Sequence, residues 1–157
     1  MQELLAKKIK AVLDYWYGPG VGEAVLREPW EVEFSPQGRL RRLYVRGELA
    51  FTFRPRDFYP VPHVLGARLL HQALPFCRRR VVVNEEQEKF VLAGKSVLCK
   101  FVLEVDPELR PGDYVLVVSR DDRLLALGQL ILPPEVIKQA QRGFAAEICR
   151  VLGGSGP

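Results

Sequence analysis

The sequence predicts an α+β protein in two parts: helices flanking a three-stranded antiparallel sheet, then a small all-β unit. Three observations carry that expectation. Apolar residues recur at helical spacing up to Tyr17, and apolar/acidic alternation follows at Trp30–Phe34. From Arg80 onward, short apolar runs are separated by turn signals at roughly 8–12-residue spacing.

In chain order, Leu4, Leu5, Ile9, Val12, Leu13 and Trp16 form one stripe of an amphipathic helix over Glu3–Tyr17. Gly18-Pro19-Gly20 interrupts it, and Val21–Leu26 supplies another turn or two of helix before Pro29. Trp30–Phe34 is a half-exposed strand, Ser35-Pro36-Gln37-Gly38 is turn chemistry, and Leu40, Leu43 and Val45 belong to the returning strand. Arg46-Gly47-Glu48 turns into a third strand, Leu49–Phe53. Phe58–Pro62 reads as an aromatic, proline-rich loop, and Val64–Leu74 as a helix closed by Pro75. The basic run Arg78-Arg79-Arg80 leads into the second part.

There, a short strand precedes a helix over Glu85–Leu92, which Gly94 stops because glycine best takes a left-handed C-terminal conformation. Lys100–Val105 is a strand broken by Asp106-Pro107, and Arg110-Pro111-Gly112-Asp113 is a turn. Tyr114–Ser119 and Leu124–Leu132 are strands joined through Asp121-Asp122, with Gly128 marking a bulge or a close approach. Pattern alone leaves a barrel and a sandwich both open.

With 157 residues the chain fits one or two small domains, and 48% hydrophobic with 27% charged residues is ordinary globular composition. No apolar run approaches the roughly 18–20 residues of a membrane helix, so a cytoplasmic protein without membrane contact is expected. The net charge of +4 is uneven: 39–80 carries +8 and 81–157 carries −2. A polyanion would therefore meet the region ahead of the all-β unit, where arginine forks suit phosphate. Basic residues total 23, of which 16 are arginine.

The sequence offers little to a catalyst. Cys77, Cys99 and Cys149 are widely spaced without a C-x-x-C, and His63 and His71 stand alone, so neither a metal site nor a cofactor is expected. Ala93-Gly94-Lys95-Ser96 has the end of a phosphate-binding loop, but Lys89 stands where its first glycine belongs, and it follows a helix rather than a strand. Glu85-Glu86 and Asp121-Asp122 sit at a helix start and a hairpin, where local electrostatics and turn formation account for them.

The run FVLAGKSVLCKFVLEVDPELRPGDYVLVV, with LLALGQLIL behind it, resembles the PUA domain, the RNA-binding module named after pseudouridine synthases and archaeosine transglycosylases. Its AGKSV segment, its D-P-x-L-R-P-G-D turn and its A-x-G strand carry the likeness. Ahead of it, DYWYGPGVGEAVL, the G-R-L-R-R-x-Y-V strand, the LAFTFRPRD run and the LGARLLH helix look like the domain that precedes PUA in archaeosine tRNA-guanine transglycosylases. Those enzymes place a (β/α)₈ catalytic barrel and a zinc site before these domains, and 157 residues cannot hold a barrel of about 250.

The resemblance implies a pre-PUA α+β domain over 1–77, a PUA-like pseudo-β-barrel over 78–152 and a disordered tail over 153–157. It further implies a non-catalytic RNA-binding protein that docks structured RNA, with tRNA near its acceptor stem favoured. The chain would serve as an accessory subunit beside a catalytic partner. Carried over residue by residue, the RNA contacts are Gly94, Lys95, Ser96 and Lys100, joined by Arg78, Arg79 and Arg80 and by Arg142 in the closing segment. If the three arginines open a strand their faces alternate, so at most two point to RNA and the third meets an acidic residue or the seam between domains. Gly94 also serves as a plain helix cap, and Phe58 and Tyr59 read as packing residues before base-stacking ones. Ribosomal RNA is the alternative ligand, and an adaptor whose basic surface meets an acidic protein is the rival of a different class.

Overall fold

A computed structural model describes residues 2–153, so residues 154–157 of the expected tail lie outside it. The chain divides into two compact units, Met1–Leu74 and Pro75–Pro157.

In the first unit, α1 (Gln2–Tyr17) buries Ile9, Leu13 and Tyr17, the inner edge of its apolar stripe. Gly18 and Gly20 take positive φ and turn the chain into α2 (Val21–Val25). Asp14 Oδ1 accepts a hydrogen bond from the Gly22 amide at 2.8 Å, and a Cβ on Gly22 would stand 2.5 Å from the Lys10 Cα. That pair locks α2 against α1. Strands β1 (Trp30–Phe34), β2 (Leu40–Val45), β3 (Glu48–Phe53) and β4 (Pro60–Pro62) form one antiparallel sheet in that order. The fourth strand is a correction to the three expected. Pro60 and Pro62 argue against a strand, yet at a sheet edge a residue without an N–H is tolerated, and β4 pairs only with β3. Tyr17 Oη donates to the Pro60 carbonyl and ties α1 to this edge. Helix α3 (Val64–Ala73) packs on β3 through Gly66.

In the second unit, β5 (Arg80–Val83) is an interior strand, parallel to β8 (Tyr114–Val118) on one side and antiparallel to β7 (Val102–Val105) on the other. The remaining strands are β6 (Val97–Leu98), β9 (Leu124–Leu130) and β10 (Phe144–Val151), giving the order β6-β10-β9-β8-β5-β7. This sheet curls, nearly closing, around Val81, Val83, Val115, Val117, Leu125 and Ala146, all 0–1% exposed. Helix α4 (Glu85–Leu92) matches its sequence-predicted span. Gly128 is a close-approach point: a Cβ there would lie 2.7 Å from the Glu147 carbonyl oxygen across β10.

Two elements differ from expectation. Cys99–Phe101 is one turn of 3-10 helix, so the strand expected from Lys100 begins at Val102. A short helix, α5 (Pro134–Gln139), follows β9. Its signals were Pro134 in the first turn, where a missing N–H costs nothing, and Glu135 beside the positive helix end.

A Cβ on Gly66 would sit 2.2 Å from the Ala50 carbonyl oxygen, backbone that has nowhere to go. Gly66→Ala is therefore expected to lose about 1–3 kcal/mol, the cost of overpacking a core. The check is a lower denaturant midpoint at unchanged slope.

Candidate nucleic-acid interface

Position relative to β5 decides what the three consecutive arginines can do. Only Arg80 lies on β5, which is flanked by strands on both sides and buried throughout, so its side chain turns into the protein. Arg78 and Arg79 stand in the turn before the strand, so the three do not alternate faces as strand residues would. Arg80 is 1% exposed; its Nε donates to Asp122 Oδ1 at 3.0 Å and its Nη1 to the Arg78 carbonyl at 3.0 Å. Arg79 adopts φ 63°, its amide donates to Asp106 Oδ2 at 2.6 Å, and its guanidinium lies 3.3 Å from Asp113. Arg78 faces solvent at 48% exposure, with its Nε 3.5 Å from Asp106. All three thus meet carboxylates of their own unit. A buried guanidinium has to be matched in this way, since desolvating an unpaired charge is costly.

A different set of residues gathers at the end of α4. Asn84 caps the helix by accepting from the Gln87 amide at 3.0 Å. At the other end, Gly94 at φ 85° lets its amide donate to Val91 and the Lys95 amide to Phe90, both at 2.9 Å. This is a Schellman turn, so the plain capping reading of Gly94 holds. A Cβ on Gly94 would meet nothing within 4 Å, which leaves its backbone bare toward solvent. Gln87, almost fully buried, accepts from the Leu98 amide at 3.3 Å and so aims the segment that follows Ser96.

The strand β10 enters beside this segment. The Cys99 amide donates to the Gly143 carbonyl at 3.0 Å, and Phe144 pairs in register with Leu98. The result is a groove of about 650 Å³ lined by Phe90, Leu98, Phe101 and Phe144 together with Gly94, Lys95 and Ser96. Phe90 and Phe144 are 39% and 51% exposed. Lys100 Nζ lies 5.1 Å over the Phe101 ring, and Lys89 Nζ lies 5.4 Å over Phe90. Arg142 directly precedes Gly143. None of the lining residues is acidic. Gly94, Lys95 and Ser96 therefore line one groove, and Lys100 stands over the ring of its lining residue Phe101. Arg142 is placed only as the neighbour of Gly143 in the chain, while Arg78, Arg79 and Arg80 line no part of this groove.

Sequence reasoning passed over the groove's aromatics. Phe90, Phe101 and Phe144 read as ordinary apolar positions of a helix and two strands. Their spacing gave no sign that all three share one cleft. Phe58 and Tyr59, by contrast, pack as expected. Tyr59 is 2% exposed and lies 4.7 Å from the Trp16 ring, and Phe58 meets Phe53 edge-on at 6.1 Å.

Other reactive groups are quiet. Burial, with Glu104 and Asp106 nearby, pushes the Cys77 thiol up to about 11, and burial also raises Cys99 and Cys149. All three thiols are thus poor nucleophiles at neutral pH. His63 hydrogen-bonds the Thr52 hydroxyl at 2.7 Å. Among the described residues, no group of three His, Cys, Asp or Glu side chains is placed to hold a metal, and no helix is long and apolar enough to cross a membrane.

Comparison with known proteins matches both units. Residues 7–76 match the patch-forming domain C2 of tRNA-guanine transglycosylase, and residues 79–152 match the PUA domain. The chain is 43% identical over 145 residues to the tRNA-guanine(15) transglycosylase of Thermococcus kodakarensis, covering 92% of this chain and 25% of that protein. It is 40% identical to the corresponding protein of Methanococcus maripaludis, covering 90% of this chain and 22% of that one. The chain thus spans about a quarter of the length of these curated relatives. Among solved structures, a hypothetical protein of Pyrococcus horikoshii aligns with TM-score 0.71 at 25% identity, covering 96% of this chain and 91% of that one. A PUA domain protein of Thermoplasma acidophilum aligns with TM-score 0.65 at 22% identity, covering 99% and 93%, and shares the fold.

The Arg80–Asp122 pair yields a test of the structural role. Asp122→Asn keeps a side chain suited to its φ of 65° but removes the charge facing Arg80. With Asp122 one-third exposed, the expected loss is about 1–3 kcal/mol, between the values for surface and buried pairs. Urea unfolding measures it.

Proposed function

Because the chain is a PUA-domain protein with a C2-type patch-forming domain ahead of that domain, we propose that it binds RNA in the service of tRNA modification. The observation that carries this reading is the groove at the end of α4, where Phe90, Phe101 and Phe144 meet Lys95 and a bare glycine backbone, with Lys89 and Lys100 over two of the rings. Both elements suit an RNA end. Unstacked bases lie on aromatic faces, and lysines and arginines neutralise the phosphates between them.

The favoured ligand is tRNA, met at its acceptor-stem end, where unpaired nucleotides adjoin a duplex. Gly94 admits the backbone without a side-chain clash, Lys95 and Lys100 pair with phosphates, and the Ser96 hydroxyl donates to a phosphate or sugar oxygen. Arg142 adds a fork from the neighbouring loop. Of the basic run at the domain start, only Arg78 keeps a solvent-exposed side chain, and an RNA contact from it would fall outside the groove. The chain's part is docking rather than chemistry, beside a catalytic partner that holds the transglycosylase site. This is supported by the match of its two units to the patch-forming domain C2 and the PUA domain, and by a Cys77 thiol that burial keeps protonated.

Lys95→Ala/Lys100→Ala should leave unfolding unchanged and weaken tRNA binding by about tenfold or more. It should lower the slope of log K against log salt by about 1–2, because each lysine releases about one counterion. Gel shift at two salt concentrations, with an rRNA fragment pool in parallel, checks this. Preference for the rRNA pool would move the ligand to ribosomal RNA. Retention of neither pool, with a protein co-purifying after nuclease treatment, would put the adaptor reading first.

A further inference from the structure

We infer that the first unit carries a binding pocket for a single phosphate group, built on a bulge that Arg41 makes in β2. Glu33 pairs with Arg42 and Phe34 with Leu40, so Arg41 is the extra residue opposite no partner. A bulge of this kind re-aims one side chain, and such bulges recur beside functional sites. Here it leaves the Arg41 Nε buried with no hydrogen-bond partner among the described residues. A permanently charged side chain that buries one donor unmatched and still lines an open pocket is a rare feature of a native fold, and an anion in that pocket would balance its charge.

The surroundings specify that acceptor. Arg41 lines a pocket with Arg39, Ser35, Gln37, Phe53 and Phe58. The Arg39 guanidinium makes one long contact, 3.5 Å to the Pro55 carbonyl, and its other donors remain for a ligand. Ser35 Oγ accepts from the Arg39 amide at 3.1 Å, so its own proton is free to donate. No carboxylate lines the pocket. Glu33 is held by Arg42 at 3.1 Å. Asp57 is held by Arg54 at 2.8 Å, which keeps its carboxyl down at about 2. Two guanidinium forks and a hydroxyl without a competing anion select phosphate. The volume, about 260 Å³, lies below the roughly 300–1,000 Å³ of small-molecule sites. It accommodates a phosphate with its sugar rather than a whole nucleotide. Phe58, with φ 61°, stands in the pocket wall in a conformation that is unusual for an aromatic residue.

The same chemistry can come from an RNA backbone or from a free phosphate compound. The pocket does not rest on the α4 groove, since none of its residues belongs to the second unit.

The test follows the Arg41 Nε–Hε resonance in the ¹⁵N-labelled full chain, identified by its loss in R41K. Inorganic phosphate, ribose 5-phosphate and a short single-stranded RNA are added at constant ionic strength. A saturable shift is expected, and R39Q, which changes an exposed side chain, should weaken it by about tenfold or more, the value of one hydrogen bond to a charged group. A shift with free phosphates alone makes this a small-molecule site. A shift with RNA alone makes the source a backbone phosphodiester, and both outcomes support the pocket. No shift with any of the three, or an equal shift with sodium chloride, overturns it. If R41K does not fold, R39Q and the wild-type titration decide alone. The Lys95→Ala/Lys100→Ala chain separates the two sites: it should show the weakened tRNA binding given above and keep the response of Arg41 to inorganic phosphate.

Discussion

The ends of α4 are the constraint on which the candidate interface depends. Asn84 caps one end, and the left-handed turn at Gly94 closes the other. Between them, the buried Gln87 amide reaches across to the Leu98 backbone. These three contacts fix the direction in which Lys95 and Ser96 leave the helix and the place where β6 begins. Strand β10 then brings Gly143 and Phe144 alongside. A helix of eight residues holds little stability of its own, so its caps and its packing decide whether the groove exists.

Charge is divided between structure and surface. The positive excess over 39–80 reads in sequence as one footprint for a polyanion. In the fold much of it is already matched: Arg42 to Glu33, Arg54 to Asp57, Arg79 to Asp113 and Arg80 to Asp122. The cations around the α4 groove, by contrast, sit in the half of the chain that is net negative. Net charge over a window therefore locates a binding surface poorly when acidic partners come from distant parts of the chain. What remains after pairing is the quantity a ligand meets.

This explains which parts of the molecule were legible in sequence. Helix α4, the turn at Gly94 and the strands around Gly128 follow local rules of capping, turn chemistry and alternation, and these rules act over a few residues. The Gly94-Lys95-Ser96 segment came from resemblance, and in the structure it shares a groove with Phe90, Leu98, Phe101 and Phe144. The carboxylate partners of Arg79 and Arg80 lie 34 and 42 residues away in sequence, and the clustering of Phe90, Phe101 and Phe144 depends on β10 pairing with β6. No local pattern encodes such contacts. Strand β4 was missed for the opposite reason, because a sound local rule about proline yields at a sheet edge.

Amide chemical-shift mapping of the ¹⁵N-labelled chain with an acceptor-stem minihelix carrying its single-stranded end tests the central claim most directly. The largest changes are expected on Phe90, 94–101 and 142–144. Changes concentrated elsewhere in the second unit, with these positions silent, would contradict it.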